Sequence, residues 1–325
     1  MNLLTHSLSM TLQNSFVRIA QRLVGLGLAF AFLASVKVAA ANGGKTFPTP
    51  QAAVDALAAA VNAKDRQALR TLFGLATDEL VAADKVQAEN ELTEFSAAFN
   101  QSNRIVPESD SKCYLEVGSH RWPFPIPLAK RDGGWFFDTE AGKEELLNRR
   151  IGKNELATLQ TIRAYVDAQR AYASRDRDND GVLEYAQKLL SSPGRKNGLF
   201  WPPDLDGEIS PLGPLVAYGQ TEGYALRPTE ANPSPQPFHG YYYRMLTRQG
   251  NHAPGGKYNY IINGNMIGGF ALVAYPANYG ESGIMTFIVN QQGVVYQKDL
   301  GAKTARSAAA MKSYDPDSTW LASPD

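Results

Sequence analysis

The chain has 325 residues, of which 44% are hydrophobic and 20% are charged. This composition is typical of a globular protein and excludes a fibrous or disordered chain. Thirty-two basic residues balance thirty-two acidic ones, so the net charge gives no sign of a nucleic-acid partner. The single cysteine excludes a disulfide within the chain and a zinc site built on cysteines.

Residues 1–41 predict an export signal. They contain no acidic residue, and two arginines precede an uncharged run over 23–36. That run has about 14 residues, whereas a membrane helix needs roughly 20. Three alanines ending at Ala41 form a signal-peptidase pattern, so we predict cleavage there and a location in the periplasm or outside the cell. Lys37, close to the cleavage site, leaves an uncleaved membrane anchor as the alternative.

Residues 45–150 predict an N-terminal α+β domain. A helix pattern covers 52–63, and two shorter helix patterns follow it. From Cys113 the apolar period changes to two, which indicates antiparallel strands. Prolines at alternate positions after Trp122 place that segment at a sheet edge, with Trp122 facing the same side as its apolar neighbours. The order of helices and sheet resembles the cone-shaped domains similar to nuclear transport factor 2, a scaffold of both enzymes and binding modules.

Residues 151–325 predict a C-terminal α+β domain, joined to the first by a short helix over 142–152. A long helix begins at Asn154, with an apolar stripe of Leu156, Leu159, Ile162 and Val166. Later runs predict strands over 241–247, 258–262, 268–275, 285–289 and 294–298. The predicted fold class is therefore α+β, with two domains that each place helices before an antiparallel sheet.

An acidic loop follows the long helix and resembles the calcium loop of an EF-hand. Its carboxylates stand at alternate positions, where like charges favour a bound cation. Gly181 occupies the sixth position, at which an EF-hand loop turns sharply. We predict a structural Ca²⁺ ion whose protein ligands are Asp176, Asp178, Asp180, Val182 and Glu184.

This loop departs from the EF-hand pattern at its twelfth position. Gln187 stands where a bidentate glutamate is expected, so calcium affinity should be weaker or another acid must complete the site. An exit helix is expected over 182–190. The alternative is a solvated acidic loop in which Asp178 or Asp180 only caps that helix.

The polar and aromatic residues elsewhere lead to no catalytic assignment. His239 precedes a strand on which Tyr241 and Tyr243 share one face, and Glu281 is a further carboxylate. These four residues are a candidate ligand groove, with ordinary core packing as the alternative. Ser282 lies in a sequence that resembles a nucleophile elbow, but the second glycine comes one position early.

Longer motifs carry a family resemblance. They include Trp122-Pro-Phe-Pro-Ile-Pro-Leu, Ala164-Tyr-Val-Asp-Ala-Gln-Arg-Ala-Tyr, Gly268-Gly-Phe-Ala-Leu-Val-Ala-Tyr-Pro and Met285-Thr-Phe-Ile-Val-Asn. Together they resemble the secreted bacterial family known as domain of unknown function 2950, over residues 45–320. The resemblance implies an exported Gram-negative protein and supplies no activity, substrate or catalytic residue.

The long helix and the glycine-rich sheet after it also resemble the globular domains of type IV pilins and pseudopilins, some of which carry a structural calcium. Here the apolar segment lies more than a hundred residues before the long helix, and the Gly-Phe processing motif is absent. The resemblance therefore implies a shared fold without polymerisation through an N-terminal helix.

The functional prediction is a binding or assembly module of the bacterial envelope, stabilised by calcium. Its partner would be another envelope protein or a polymer. No nucleic-acid partner is expected. Contact with the membrane is expected only through the signal segment, if that segment is not cleaved. The alternative is a hydrolase that uses His239 and Glu281, or a carbohydrate-binding protein, acting on cell-wall or extracellular polymer.

Overall fold

The computed structural model describes residues 44–177, 180–203, 207–225 and 236–323. Within these ranges the chain forms seven α-helices and several antiparallel sheets, which confirms the predicted α+β class. The predicted signal segment, residues 1–41, lies outside the described residues. Of the helices described, none combines the length and the hydrophobicity that a bilayer span needs.

Four helices come first. The bounds are α1 (Pro50–Asn62), α2 (Arg66–Phe73), α3 (Thr77–Leu80) and α4 (Lys85–Gln101). Helix α1 begins two residues before the predicted range 52–63, because the Thr49 hydroxyl accepts the Ala52 N–H at 3.1 Å and proline occupies the first helical position. Its buried face consists of Ala53, Val54, Leu57, Ala60 and Val61. This face packs on the first sheet and forms one hydrophobic core with it.

The first sheet is antiparallel, with strand order β1-β2-β4-β5 and β3 paired to β2. Its strands are β1 (Asn103–Ser109), β2 (Lys112–Val117), β3 (Trp122–Pro123), β4 (Leu128–Arg131) and β5 (Gly134–Phe137). The predicted edge strand is only two residues long, because prolines cannot continue the ladder. Trp122 differs from the two apolar neighbours expected on its face: it is 42% exposed, whereas Phe124 and Ile126 are buried.

One helix, α5 (Thr139–Ala173), replaces the two predicted pieces over 142–152 and from Asn154. It continues through Gly152, because one glycine costs a helix only about 1 kcal/mol relative to alanine and does not by itself end it. Leu146 packs on the first core, and Ile162 belongs to the second. The boundary expected at residue 150 falls inside this helix, and the division into two domains stays a prediction.

The second half contains α6 (Gly213–Thr221), α7 (Thr304–Ala310) and a five-stranded antiparallel sheet. The sheet runs in the order β14-β13-β12-β11-β6. Its strands are β6 (Tyr241–Leu246), β11 (Ala271–Pro276), β12 (Met285–Asn290), β13 (Tyr296–Asp299) and β14 (Leu321–Ala322). Two small pairs complete the half: β7 (Arg248–Gln249) with β8 (Tyr258–Asn259), and β9 (Ile261–Ile262) with β10 (Asn265–Met266).

Candidate functional site

The acidic loop after α5 is held as a tight turn. The Asp176 carboxylate accepts the Gly181 N–H at 2.9 Å, and Gly181 has a φ of +85°, a conformation that glycine adopts readily. The first and sixth positions of the predicted calcium loop are therefore joined directly. Asp178, the third position, lies outside the described residues.

The later carboxylates of this loop bond to the β9–β10 hairpin. Asp180 accepts the Asn265 side-chain amide at 3.0 Å, and Glu184 accepts the Met266 N–H at 2.7 Å. Within the described ranges, no three His, Cys, Asp or Glu side chains are arranged to hold a metal ion. Since that search leaves out Asp178, the calcium site stays a prediction.

The exit helix expected over 182–190 is wrong. The segment is not helical, because its backbone pairs with other parts of the chain: Tyr185 N–H donates to the Met266 carbonyl, and the Lys188 carbonyl accepts the Leu199 N–H. Gln187 donates its amide to the Gly264 carbonyl at 2.6 Å. The loop thus enters from a helix and leaves as an extended segment against the hairpin.

His239 lies beside Glu222 in largely buried surroundings, with the rings of Phe238 and Tyr224 close to its imidazole. Its Nε2 is 3.3 Å from a Glu222 carboxylate oxygen, and its backbone N–H donates to the Tyr224 hydroxyl. Burial lowers the pKa of His239, while Glu222 and Asp84 oppose that shift. Burial thus disfavours the charged form of the imidazole.

The other three residues of the predicted groove have separate surroundings. Tyr241 is fully buried and donates to the Met285 carbonyl, whereas the Tyr243 hydroxyl bonds to Thr158, and burial raises the pKa of Tyr243 to about 12. Glu281 is exposed and accepts the Asn278 amide. The structure thus gives His239 a different carboxylate neighbour, Glu222, from the one that the sequence suggested.

Ser282 has its hydroxyl engaged within its own turn. The Ser282 Oγ donates to the Asn278 carbonyl at 3.1 Å and accepts the Asn278 N–H at 2.9 Å. A nucleophilic serine needs a hydrogen bond to a base, and the hydrogen bonds of Ser282 Oγ go to Asn278 instead. The geometry therefore favours a structural role for this residue.

An apolar pocket with a volume of about 500 Å³ lies in the N-terminal half. Helices α1, α2, α3, α4 and α5 line it together with the 122–126 segment. Its wall includes the apolar side chains Leu57, Leu69, Phe73, Leu92, Phe95, Phe124, Ile126 and Leu146. Two apolar residues of the lining, Val81 and Trp122, are 45% and 42% exposed. Pockets of this size and character are typical of small-molecule sites.

Charged residues interrupt the apolar lining on α4 and α5. Lys153 pairs with Glu94 at 3.3 Å at the surface, and the Arg149 guanidinium lies 4.8 Å from the centroid of the Trp122 ring. Arg150 is only 6% exposed. It donates to the Leu80 carbonyl and lies 3.4 Å from Glu91.

The sequence patterns do not reveal this pocket. Its walls come from five helices and a proline-rich segment, and each wall taken alone has the pattern of an ordinary core face. Two signals were available: the aromatic Trp122 among prolines, and the adjacent arginines 149 and 150 within a helix. Neither of these two features belongs to a sequence motif that specifies a pocket.

Comparisons with known proteins give a family and no activity. No curated protein matches the chain, and no solved structure matches it. The similarities to nuclear transport factor 2 and to pilins therefore stay predictions. A family model described as a protein of unknown function (DUF2950) matches residues 44–322, in agreement with the motifs noted in the sequence. The chain thus belongs to the DUF2950 family.

Proposed function

We propose that the chain is an exported binding module of the bacterial envelope whose ligand occupies the apolar pocket of the N-terminal half. The observation that carries the proposal is the pocket itself, an open apolar volume of about 500 Å³. An apolar surface left open to water costs free energy that a bound ligand recovers.

The composition of the pocket supports binding over catalysis. Of the described residues that line it, none is histidine, cysteine or serine, the side chains that most often act as nucleophiles or bases. Its two carboxylates, Glu91 and Glu94, lie close to Arg150 and Lys153. The rival hydrolase would act elsewhere, at His239, and would use Glu222 in place of Glu281.

Binding of a neutral, environment-sensitive apolar dye tests the proposal. We expect saturable binding with increased fluorescence, because the dye leaves water for the apolar wall. Ala98→Trp places an indole at a lining position of α4 and should abolish that binding. The matched control is Ala97→Trp, on the exposed face of the same helix, which should bind as the parent protein does.

Equal dye binding by both variants would show that the dye sits elsewhere and would overturn the proposal. Thermal unfolding of each variant establishes that a lost signal reflects a filled pocket and not an unfolded chain.

The proposed module is exported by residues 1–41 and carries a structural Ca²⁺ ion at the acidic loop. Support for the ion comes from the Asp176–Gly181 bond, which closes the loop as a calcium turn requires, and from the sequence position of Asp178. Asp180 and Glu184 would contribute further oxygens. The calcium dependence of thermal unfolding tests this part of the proposal. The partner of the proposed binding module would be an envelope protein or a polymer.

A further inference from the structure

Arg150 is a buried cation with an incomplete set of partners. Only 5% of its side chain is exposed, and within the described part of the chain its Nε atom has no hydrogen-bond partner. One terminal nitrogen donates to the Leu80 carbonyl, and the same nitrogen is 3.4 Å from Glu91. A buried guanidinium is costly unless acceptors surround it, so this arrangement favours a further acceptor at the pocket wall.

The charged residues along the pocket indicate that this acceptor is negatively charged. Four basic residues, Arg66, Arg149, Arg150 and Lys153, line the pocket, against two acidic residues. Arg66 and Arg149 also pair with Glu89 and Glu145, which lie outside the lining. Three of the four lie within one turn and a half of α5, on the side that faces the pocket. The Lys153–Glu94 pair is exposed, and surface ion pairs of this kind rearrange at little cost.

Apart from Thr77, the rest of the lining is apolar, with Leu57, Phe73 and Phe124 among its buried members. A ligand that satisfies both parts of the wall has a hydrocarbon body and one small anionic end. A carboxylate suits a nearly buried guanidinium because it is planar, small and able to accept two parallel N–H bonds.

We propose that the pocket binds a long-chain fatty acid whose carboxylate contacts Arg150 and whose hydrocarbon chain fills the apolar volume. This inference rests on the proposed binding function and adds to it the class of the ligand. Glu91 would be the competing carboxylate, released from Arg150 when the ligand binds.

The test is displacement of the neutral dye from the purified protein by fatty acids of increasing length and by the alcohols of the same chain lengths, all below their micelle concentrations. We expect each acid to bind at least tenfold more tightly than its alcohol. Affinity should rise roughly fourfold for each added methylene until the chain outgrows the pocket.

Three variants separate the carboxylate contact from the apolar contacts. Arg150→Met keeps an unbranched stem like the aliphatic part of arginine but has no guanidinium, so it should remove the preference for acid over alcohol. Glu91→Gln removes the competing charge and should strengthen acid binding several-fold, with no effect on the alcohol. Arg104→Met, at an exposed arginine of β1, is the control and should change neither.

The outcomes distinguish this inference from the proposed function. Dye binding that fatty acids do not displace, or equal affinities for acid and alcohol, would overturn the fatty-acid proposal and leave the binding module intact. Failure of the dye itself to bind would overturn both. If Arg150→Met does not fold, the Glu91→Gln result decides, since unchanged acid affinity there contradicts the carboxylate contact.

Discussion

Asp84 joins two parts of the chain that are far apart in sequence. Its Oδ1 caps α4 by accepting the N–H groups of Val86 and Gln87, and its Oδ2 accepts the Tyr224 hydroxyl and the Gly240 N–H. The side chain is buried, so every one of these donors would lose its partner if the carboxylate were removed.

Asp84→Ala should lower the free energy of unfolding by about 2–4 kcal/mol, because the loss of a helix cap adds to the cost of unpaired buried donors. Asp65→Ala is the matched control: Asp65 caps α2 through one bond to the Ala68 N–H and is exposed. We expect Asp65→Ala to lower the free energy of unfolding by about 1 kcal/mol. Chemical denaturation measures both values, and equal losses would contradict the linking role of Asp84.

The capping role of Asp84 was predictable from the sequence, but its other contacts were not. Asp84 and Gln87 have the spacing of a capping box, which locates the start of α4. The partners at Tyr224 and Gly240 have no such local signal, since they depend on how the halves of the chain meet. The positive φ of His239, +50°, belongs instead to a local two-residue turn, in which Phe238 and Tyr241 exchange backbone hydrogen bonds.

At the scale of elements, α5 shows what an apolar stripe identifies and what it misses: Ile162 and Val166 of the predicted stripe are buried, but the polar part of the buried face was not foreseen. Leu156, in the predicted stripe, is 39% exposed, while Asn154, Thr158 and Gln169 are buried. Each of these three side chains has a partner: Asn154 bonds to Gln87 and to the Ser282 carbonyl, for example. Hydrophobicity patterns cannot identify polar residues that are buried because their hydrogen bonds are satisfied.

Two glycines of α5 should respond to alanine in opposite ways. A Cβ at Gly142 would lie 2.6 Å from the Ile126 Cα and the Pro125 carbonyl oxygen, whereas a Cβ at Gly152 would meet nothing within 4 Å. We expect Gly142→Ala to destabilise the protein by about 1–3 kcal/mol through overpacking. Gly152→Ala should stabilise it by about 0.5–1 kcal/mol through helix propensity.

Thermal and urea unfolding of the two variants measure these effects. The two variants carry the same substitution in the same helix. Opposite signs of the stability change would therefore reflect the close approach of α5 to the 125–126 segment. Two stabilised variants would mean that the helix does not pack there as described.

At the scale of the whole molecule, the fold class followed from the sequence, but the pocket did not. Each strand and helix has its own period of apolar residues, which can be identified directly in the sequence. The pocket exists only where α1, α2, α3, α4 and α5 meet around the 122–126 segment. The volume between them depends on helix packing, and no single segment encodes it.

Calcium should stabilise the whole chain if the acidic loop binds it, because the loop connects α5 to the β9–β10 hairpin. Loops of this kind in extracellular modules bind calcium at about 10⁻⁴–10⁻³ M. At about 10 mM calcium, the gain is then at least roughly 1.4 kcal/mol, or a rise in melting temperature of about 3 °C, and excess chelator should reverse it. Asp176→Asn keeps an acceptor for the Gly181 N–H but removes the charge, so its melting temperature should not respond.

Glu144→Gln, at an exposed carboxylate of α5, is the control and should respond as the parent protein does. Scanning calorimetry with calcium and with chelator measures all three proteins. A shift that is the same in Asp176→Asn and in the parent would place the calcium effect outside this loop. The turn closed by Asp176 and Gly181 would then be a structural feature that needs no ion.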